Sequence, residues 1–282
     1  MVAILGGLGA ACCFSATAFF AQRASRVLGG WVTFAWASLV GALAAAVPFA
    51  FALAGSHVSS QTISLLALSG VLNVGGLVME FVALRGGRLS VVTPIISAEG
   101  AVTALIAGLV GEPVAGIAWA ALAVVVVGVI ATCTTAPTEE ERRSGGTRRT
   151  VLLALGSALA FGVGLYFQGT AGDDVPLAIV VAPPSVMGVL LVTLPFAIAR
   201  RLPLPRTVVP VVVGVGLAEL AGFWCFAAGA TGSVAITAVL SSQFAVVSVV
   251  ASVLFLKERL TRRQLAGLAA ICSGVAVLAL SR

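Results

Sequence analysis

Apolar runs of about twenty residues, separated by short polar joints, recur along the whole chain. A helix needs about 20 apolar residues to cross ~30 Å of hydrocarbon. Ten stretches reach that length, at roughly 2–22, 30–54, 62–84, 89–110, 115–134, 150–169, 176–199, 207–229, 233–255 and 262–281. Several joints are only a few residues long, so consecutive helices are antiparallel neighbours. The pattern predicts an all-α integral membrane fold of ten transmembrane helices. Pro113, Pro176, Pro203 and Pro205 stand at helix ends or joints, where proline is tolerated. Pro94, Pro183, Pro184 and Pro195 fall inside spans and predict kinks in the fourth and seventh.

One stretch reads as soluble. Thr135 to Thr150 is charged, contains glycine and has no apolar period, as in Glu139-Glu140-Glu141-Arg142-Arg143-Ser144-Gly145-Gly146. It divides the chain into a first five-helix unit, 1–134, a linker, 135–149, and a second five-helix unit, 150–282. A shift of 147 residues brings Gly9, Ala11, Phe14, Phe20 and Ala24 onto Gly156, Ala158, Phe161, Phe167 and Ala171. A shift of 143 brings Gly86 and Ser90 onto Gly229 and Ser233, and a shift of 146 brings Glu112, Leu122, Ala123 and Gly128 onto Glu258, Leu268, Ala269 and Gly274. Five is odd, so the second unit enters the membrane from the opposite side. The expectation is two inverted repeats, an arrangement that places a transporter's substrate between the halves near the midplane.

Composition agrees with lipid as the solvent. The 282 residues are 60% hydrophobic and only 9% charged, against about 25% charge in soluble domains. The net charge of +6 does not point to nucleic acid, because the charges sit between apolar runs. Of the 16 Lys and Arg residues, all but Arg282 follow odd-numbered spans. The positive-inside rule puts those joints, and the linker, in the cytoplasm of a multi-pass cell-membrane protein, with both termini outward. Val2 to Ala21 lacks a basic start and reads as a retained span, not a cleaved leader. Cys12, Cys13, Cys133, Cys225 and Cys272 form no Cys-x-x-Cys pair, and His57 is the sole histidine. Asp173-Asp174 and Glu139 to Glu141 lack the spaced oxygen ligands of a cation cage. No metal or cofactor is expected.

The chain resembles the drug/metabolite transporter superfamily in its ten-helix EamA-type group. The likeness rests on Leu254-Phe255-Leu256-Lys257-Glu258-Arg259-Leu260 followed by Gln264, Gly267 and Gly274. It also rests on Gly229 to Phe244, with Ser233-Val234-Ala235 and Leu240-Ser241-Ser242, and on Gly111-Glu112-Pro113 in the first half. It departs at Ala245, where many members show proline, and at Glu99, where the first repeat usually has a small residue or proline. The resemblance implies export or exchange of small metabolites or drugs through a cavity lined by the first, third and fourth helices of each half.

A charge at mid-membrane costs about 2.5–3.5 kcal/mol on the insertion scale, and function is its default explanation. Glu99 and Glu219 lie near the centres of the fourth and eighth spans and are the leading candidates for substrate or proton binding. Asn73, Ser97, Tyr166, Gln168, Trp224, Ser241, Ser242 and Gln243 are further candidates for the cavity wall. Each could instead be interhelical glue. Glu80, nearer a span end, reads as a structural carboxylate that snorkels toward Arg85 or Arg88. Glu112 and Glu258 read as caps or ion-pair partners at interfacial turns.

The leading function is a secondary transporter of small organic solutes, working by alternating access with possible proton coupling. No Gly-x-x-x-x-Gly-Lys-[Ser/Thr] motif supplies ATP binding. The alternatives are an intramembrane lipid-modifying enzyme, which would need paired interfacial His, Asp or Ser groups, and a non-transporting lipid-handling subunit. No catalytic residue is assigned. A small-molecule substrate and membrane lipids are the expected partners, for a monomer or a homodimer. The charge asymmetry generates a direct test of topology. In a cysteine-free background, Ser144→Cys should resist an impermeant thiol reagent in intact cells and react only after permeabilisation. Labelling of intact cells would reverse the orientation.

Overall fold

A computed structural model describes residues 1–110, 120, 124, 127–128, 147–171, 175–232, 234–257 and 261–280. Most of the fifth predicted span, most of the linker, and Glu112, Glu258 and the Asp173-Asp174 pair lie outside the described residues. All regular structure in the described part is helical. The helices are α1 (Val2–Leu28), α2 (Gly30–Ala54), α3 (Ser60–Gly86), α4 (Leu89–Ile96), α5 (Glu99–Leu109), α6 (Thr147–Ala171) and α7 (Leu177–Gly188). After a π-helical turn at Val189–Thr193 come α8 (Leu194–Ile198), α9 (Val209–Ala230), α10 (Val234–Ser241), α11 (Phe244–Phe255) and α12 (Arg262–Leu280).

Six of these stretches are long and apolar enough to cross a membrane unaided: 2–28, 30–54, 60–86, 148–171, 177–198 and 209–230. Their outer faces carry exposed Leu43, Phe51, Leu68, Leu159 and Ile198. Such a surface is stable only against lipid. The joints are built locally. Gly29, at φ +85°, turns α1 into α2 with a single linking residue, a conformation that strains any residue with a Cβ. Ser59 caps α3 by accepting a hydrogen bond from the Thr62 amide at 3.1 Å.

The fourth span is broken, as Pro94 predicts. The Ala98 amide reaches back three residues to the Ile95 carbonyl, and the helix restarts at Glu99. The seventh span relaxes through its π-turn, which aims the Thr193 hydroxyl at the Ala35 carbonyl of α2, 2.7 Å away. The ninth span holds a break that its sequence does not announce. The stretch 233–255 reads as one continuous helix, but the chain turns at Ser242–Gln243 between α10 and α11 without a proline. Ser241 donates its hydroxyl to the Ala238 carbonyl at 3.0 Å, a local bond that competes with helix continuation. A shift of 145 residues carries the Ser97–Ala98 break onto the Ser242–Gln243 break. The two breaks also touch: a Cβ on Gly100 would lie 2.8 Å from the Ser242 hydroxyl.

The packing repeats in the same reciprocal way. The most extensive interfaces pair α1 with α9 and α3 with α6, so the first helix of each half lies along the third helix of the other. Gly76 on α3 makes room for the Phe161 ring on α6, and Gly222 on α9 makes room for the Phe14 ring on α1. Gly70 receives Pro183 and Met187, and Gly216 receives Ala37 and Val40. Each contact is regenerated by moving one half about 146 residues along and exchanging the halves. That is the signature of a two-fold relation between two five-helix repeats.

The adjacent Gly75 and Gly76 test this packing. A Cβ on Gly75 meets nothing within 4 Å, whereas one on Gly76 lies 2.7 Å from the Phe161 ring. Gly76→Ala should lower the thermal midpoint of the purified protein, by the equivalent of about 1–3 kcal/mol for overpacking. Gly75→Ala should leave it unchanged or raise it, since it gains up to about 1 kcal/mol of helix propensity. Equal behaviour of the two variants would remove the reciprocal glycine–phenylalanine packing from the account.

Candidate functional site

Between the halves lies a small cavity lined by residues of both. The first half contributes Phe14 and Thr17 from α1, Asn73, Leu77 and Glu80 from α3, and Glu99 at the start of α5. The second half contributes Phe161 and Leu165 from α6, Glu219 and Phe223 from α9, and Phe244 at the start of α11. These are the first, third and fourth spans of each half. The helix breaks matter here, because each delivers the first residue of a restarted helix, Glu99 or Phe244, to the cavity wall.

Three carboxylates share this space. Glu80, Glu99 and Glu219 are 6%, 4% and 3% exposed, and among the described residues no Lys, Arg or His lines the wall with them. Glu80 lies close enough to both Glu99 and Glu219 to interact electrostatically with each. The Glu219 Oε2 atom is buried without a hydrogen-bond partner, and so is Asn73 Oδ1. Such atoms are costly unless something fills the cavity and binds them. Among the described residues, no group of three His, Cys, Asp or Glu side chains comes together closely enough to hold a metal ion.

The residues expected from sequence divide. Asn73, Glu99 and Glu219 meet in the cavity. Ser97 is buried beside it and donates to the Pro94 carbonyl at 2.8 Å. Ser241 turns to Ala238, and Ser242 packs on Gly100 at the crossing of the two breaks. Gln243 is half-buried at the second break, as the residue preceding α11. Tyr166 is half-buried with its ring edge-on to Phe167 at 5.8 Å, and Trp224 packs in the apolar cluster around Leu220 and Phe226. Gln168 lines a separate small pocket with Val180, Phe226 and Thr231, donating to the Val180 carbonyl at 3.1 Å.

Glu80 is the residue that sequence reading placed elsewhere. It does not snorkel to the interface but faces the cavity, because the positions Asn73, Leu77 and Glu80 follow the i, i+4, i+7 spacing of one helix face. That spacing was the available signal. Phe14 with Thr17, Phe161 with Leu165, and Glu219 with Phe223 carry the same three- or four-residue step.

This is a multi-pass helical membrane protein of two internal repeats around a central acidic cavity, the architecture of a solute carrier. The model of the EamA-like transporter family matches residues 1–134 and again residues 148–280. The chain belongs to that family, within the drug/metabolite transporter superfamily, and is a transporter of small molecules. A search of curated proteins gives no match. Among solved structures, one described only as "Crystal structure of protein" superposes with a TM-score of 0.69 at 18% identity, covering 99% of this chain and 97% of its own. At that identity the likeness concerns the fold alone.

The shared cavity of Glu80 with the other two carboxylates makes a prediction that a structural carboxylate would not. Glu80→Gln should shift the pH dependence of solute-driven flux in reconstituted vesicles while leaving the protein folded and monodisperse. A variant with the wild-type pH profile would return Glu80 to a structural role.

Proposed function

We propose that the chain is a proton-coupled exporter or exchanger of small organic solutes in the cell membrane, working by alternating access between its two repeats. The observation that carries this reading is the set of three buried carboxylates without a basic partner at the interface of the halves. Three such groups in one apolar space require positive charge beside them. Protons supply it when the cavity is empty, and the entry of a solute or the reorientation of the halves changes how many protons are held. In this scheme Glu219 and Glu99 are the proton and substrate groups, Asn73 is a neutral hydrogen-bonding partner for the solute, and Glu80 couples the two carboxylates. The reading also keeps the 1–134 and 150–282 units as the moving bodies, with the 135–149 linker on the cytoplasmic side.

Alternating access needs two packings of similar energy. The reciprocal interfaces of α1 with α9 and α3 with α6 support this, because exchanging the conformations of the two repeats yields an equivalent structure facing the other side. The crossing of the two helix breaks is a natural hinge, since its backbone already departs from continuous helical hydrogen bonding.

Glu219→Gln keeps the shape of the side chain and removes its titratable charge. The variant should express and fold as the wild type does. In vesicles loaded with a pH-sensitive dye and challenged with a panel of small metabolites, the wild type should link solute movement to proton movement. Glu219→Gln should abolish proton-driven flux while retaining solute-for-solute exchange. Unchanged rate and pH dependence in both Glu219→Gln and Glu99→Gln would make the carboxylates structural and end the coupling mechanism.

A further inference from the structure

The polar groups of the cavity are all turned the same way chemically. Asn73 spends its Nδ2 on the Ser69 carbonyl at 2.9 Å and on the Ser69 hydroxyl at 3.1 Å. A carbonyl oxygen only accepts, so the atom facing it is the amide nitrogen, and Oδ1 is the atom left over. That Oδ1 is buried and has no partner. Thr17 spends its hydroxyl proton on the Cys13 carbonyl at 3.1 Å. Glu219 adds a buried Oε2 without a partner, and Glu80 and Glu99 add two more carboxylates. Among the described residues no Lys, Arg, His, Tyr or Trp lines the wall. Apart from any proton on the carboxyl groups, every side-chain donor of the described wall is therefore committed within the protein, and acceptors are what the cavity offers.

The apolar part of the wall points the same way. Phe14, Phe161, Phe223 and Phe244 all line the cavity, and Phe14 meets Phe223 edge to face at a centroid distance of 5.5 Å. The negative face of an aromatic ring attracts a cation placed over it, most strongly where water is scarce. Arg26 and Arg85 stand in the last turns of α1 and α3, and Arg23 stacks on Phe19 at 4.5 Å. They bring no compensating charge to the middle.

Resting on the reading of this cavity as the transport site, we infer that its cargo is an organic cation. The cargo is an amine or quaternary ammonium without a carboxylate or phosphate. Its charge lies among Glu80, Glu99 and Glu219, and its apolar body lies against the phenylalanines. An anion would meet three acidic groups and no free side-chain donor. A zwitterion would pay for its own carboxylate with nothing on the wall to receive it. A protonated glutamate can donate one hydrogen bond, but it is neutral and gives an anion no charge. Protons and the cargo then compete for the same oxygens, and that competition is the physical basis of exchange.

A matched series tests this on the full-length purified protein in uncharged detergent, read by thermal stabilisation. 2-Phenylethylamine, phenylalanine and 3-phenylpropanoate share a ring and a short chain but differ in charge, and phenyltrimethylammonium adds a cation that cannot lose a proton. The two cations should stabilise the wild type, and the anion and the zwitterion should not. Glu219→Gln and Glu80→Gln should each weaken cation binding about tenfold or more, the equivalent of losing about 1.4 kcal/mol. Glu80→Gln/Glu99→Gln/Glu219→Gln should abolish it. Failure of both cations to stabilise the wild type would overturn the inference, as would equal stabilisation by phenylalanine or 3-phenylpropanoate, or wild-type cation affinity in the single variants. The underlying transport reading fails separately. If cations bind and the glutamine variants lose them, but vesicles show no flux, the site stands and transport does not. If vesicles carry neutral or anionic solutes while no cation binds, transport stands and the cation assignment falls.

Discussion

Three carboxylates are held at the centre of an apolar bundle with no basic side chain beside them among the described residues, and the rest of the structure is arranged around that fact. Each charge at such a depth costs a few kcal/mol on the insertion scale, and unpaired it has nowhere to snorkel. The protein places its bases at the span ends and leaves the cavity a set of acceptors. In the proposed mechanism positive charge comes from outside the chain, as a proton or as a solute, and the occupant of the cavity sets how the two halves close around it. Charge balance and conformation are then two readings of one equilibrium.

The scaffold is symmetric where it packs and asymmetric where it binds. Gly76 with Phe161 and Gly222 with Phe14 repeat one contact in both halves. So do the helix breaks at Ser97–Ala98 and Ser242–Gln243. A shift of 146 residues, however, carries Asn73 onto Glu219 and Glu80 onto Phe226, and a shift of 145 carries Glu99 onto Phe244. Two of the three acids thus have aromatic counterparts, and the third faces an amide. In the proposed cycle, near-equivalent packing gives the protein two orientations of similar energy, and unequal chemistry lets a bound proton or cation distinguish them.

Hydropathy alone made the spans legible, because lipid leaves few alternatives to a helix of sufficient length. Glu99 and Glu219 were legible as well, since a carboxylate at mid-span needs a reason to be there. Glu80 was misread by its distance from the end of α3, when the face it shares with Asn73 and Leu77 decides where it points. The break after Ser242 left no mark of the kind Pro94 leaves. It comes from local hydroxyl bonding, as at Ser241, and from the partner break at Ser97–Ala98, which lies far away in sequence. Polar residues such as Ser97 and Gln168 show the remaining difficulty. A hydroxyl or amide in an apolar helix is satisfied equally well by a nearby carbonyl or by a ligand, and only the packed structure says which carbonyls are within reach.

The central claim is that protons and a cationic cargo compete for the same three carboxylates. It is tested most directly by measuring protons released when phenyltrimethylammonium binds the purified protein in weakly buffered solution. This ligand has no proton of its own, so any change in pH belongs to the protein. The account predicts release of protons on saturation, an apparent affinity that rises with pH, and loss of the release in Glu80→Gln/Glu99→Gln/Glu219→Gln. Binding that releases no protons at any pH, with an affinity independent of pH, would contradict it.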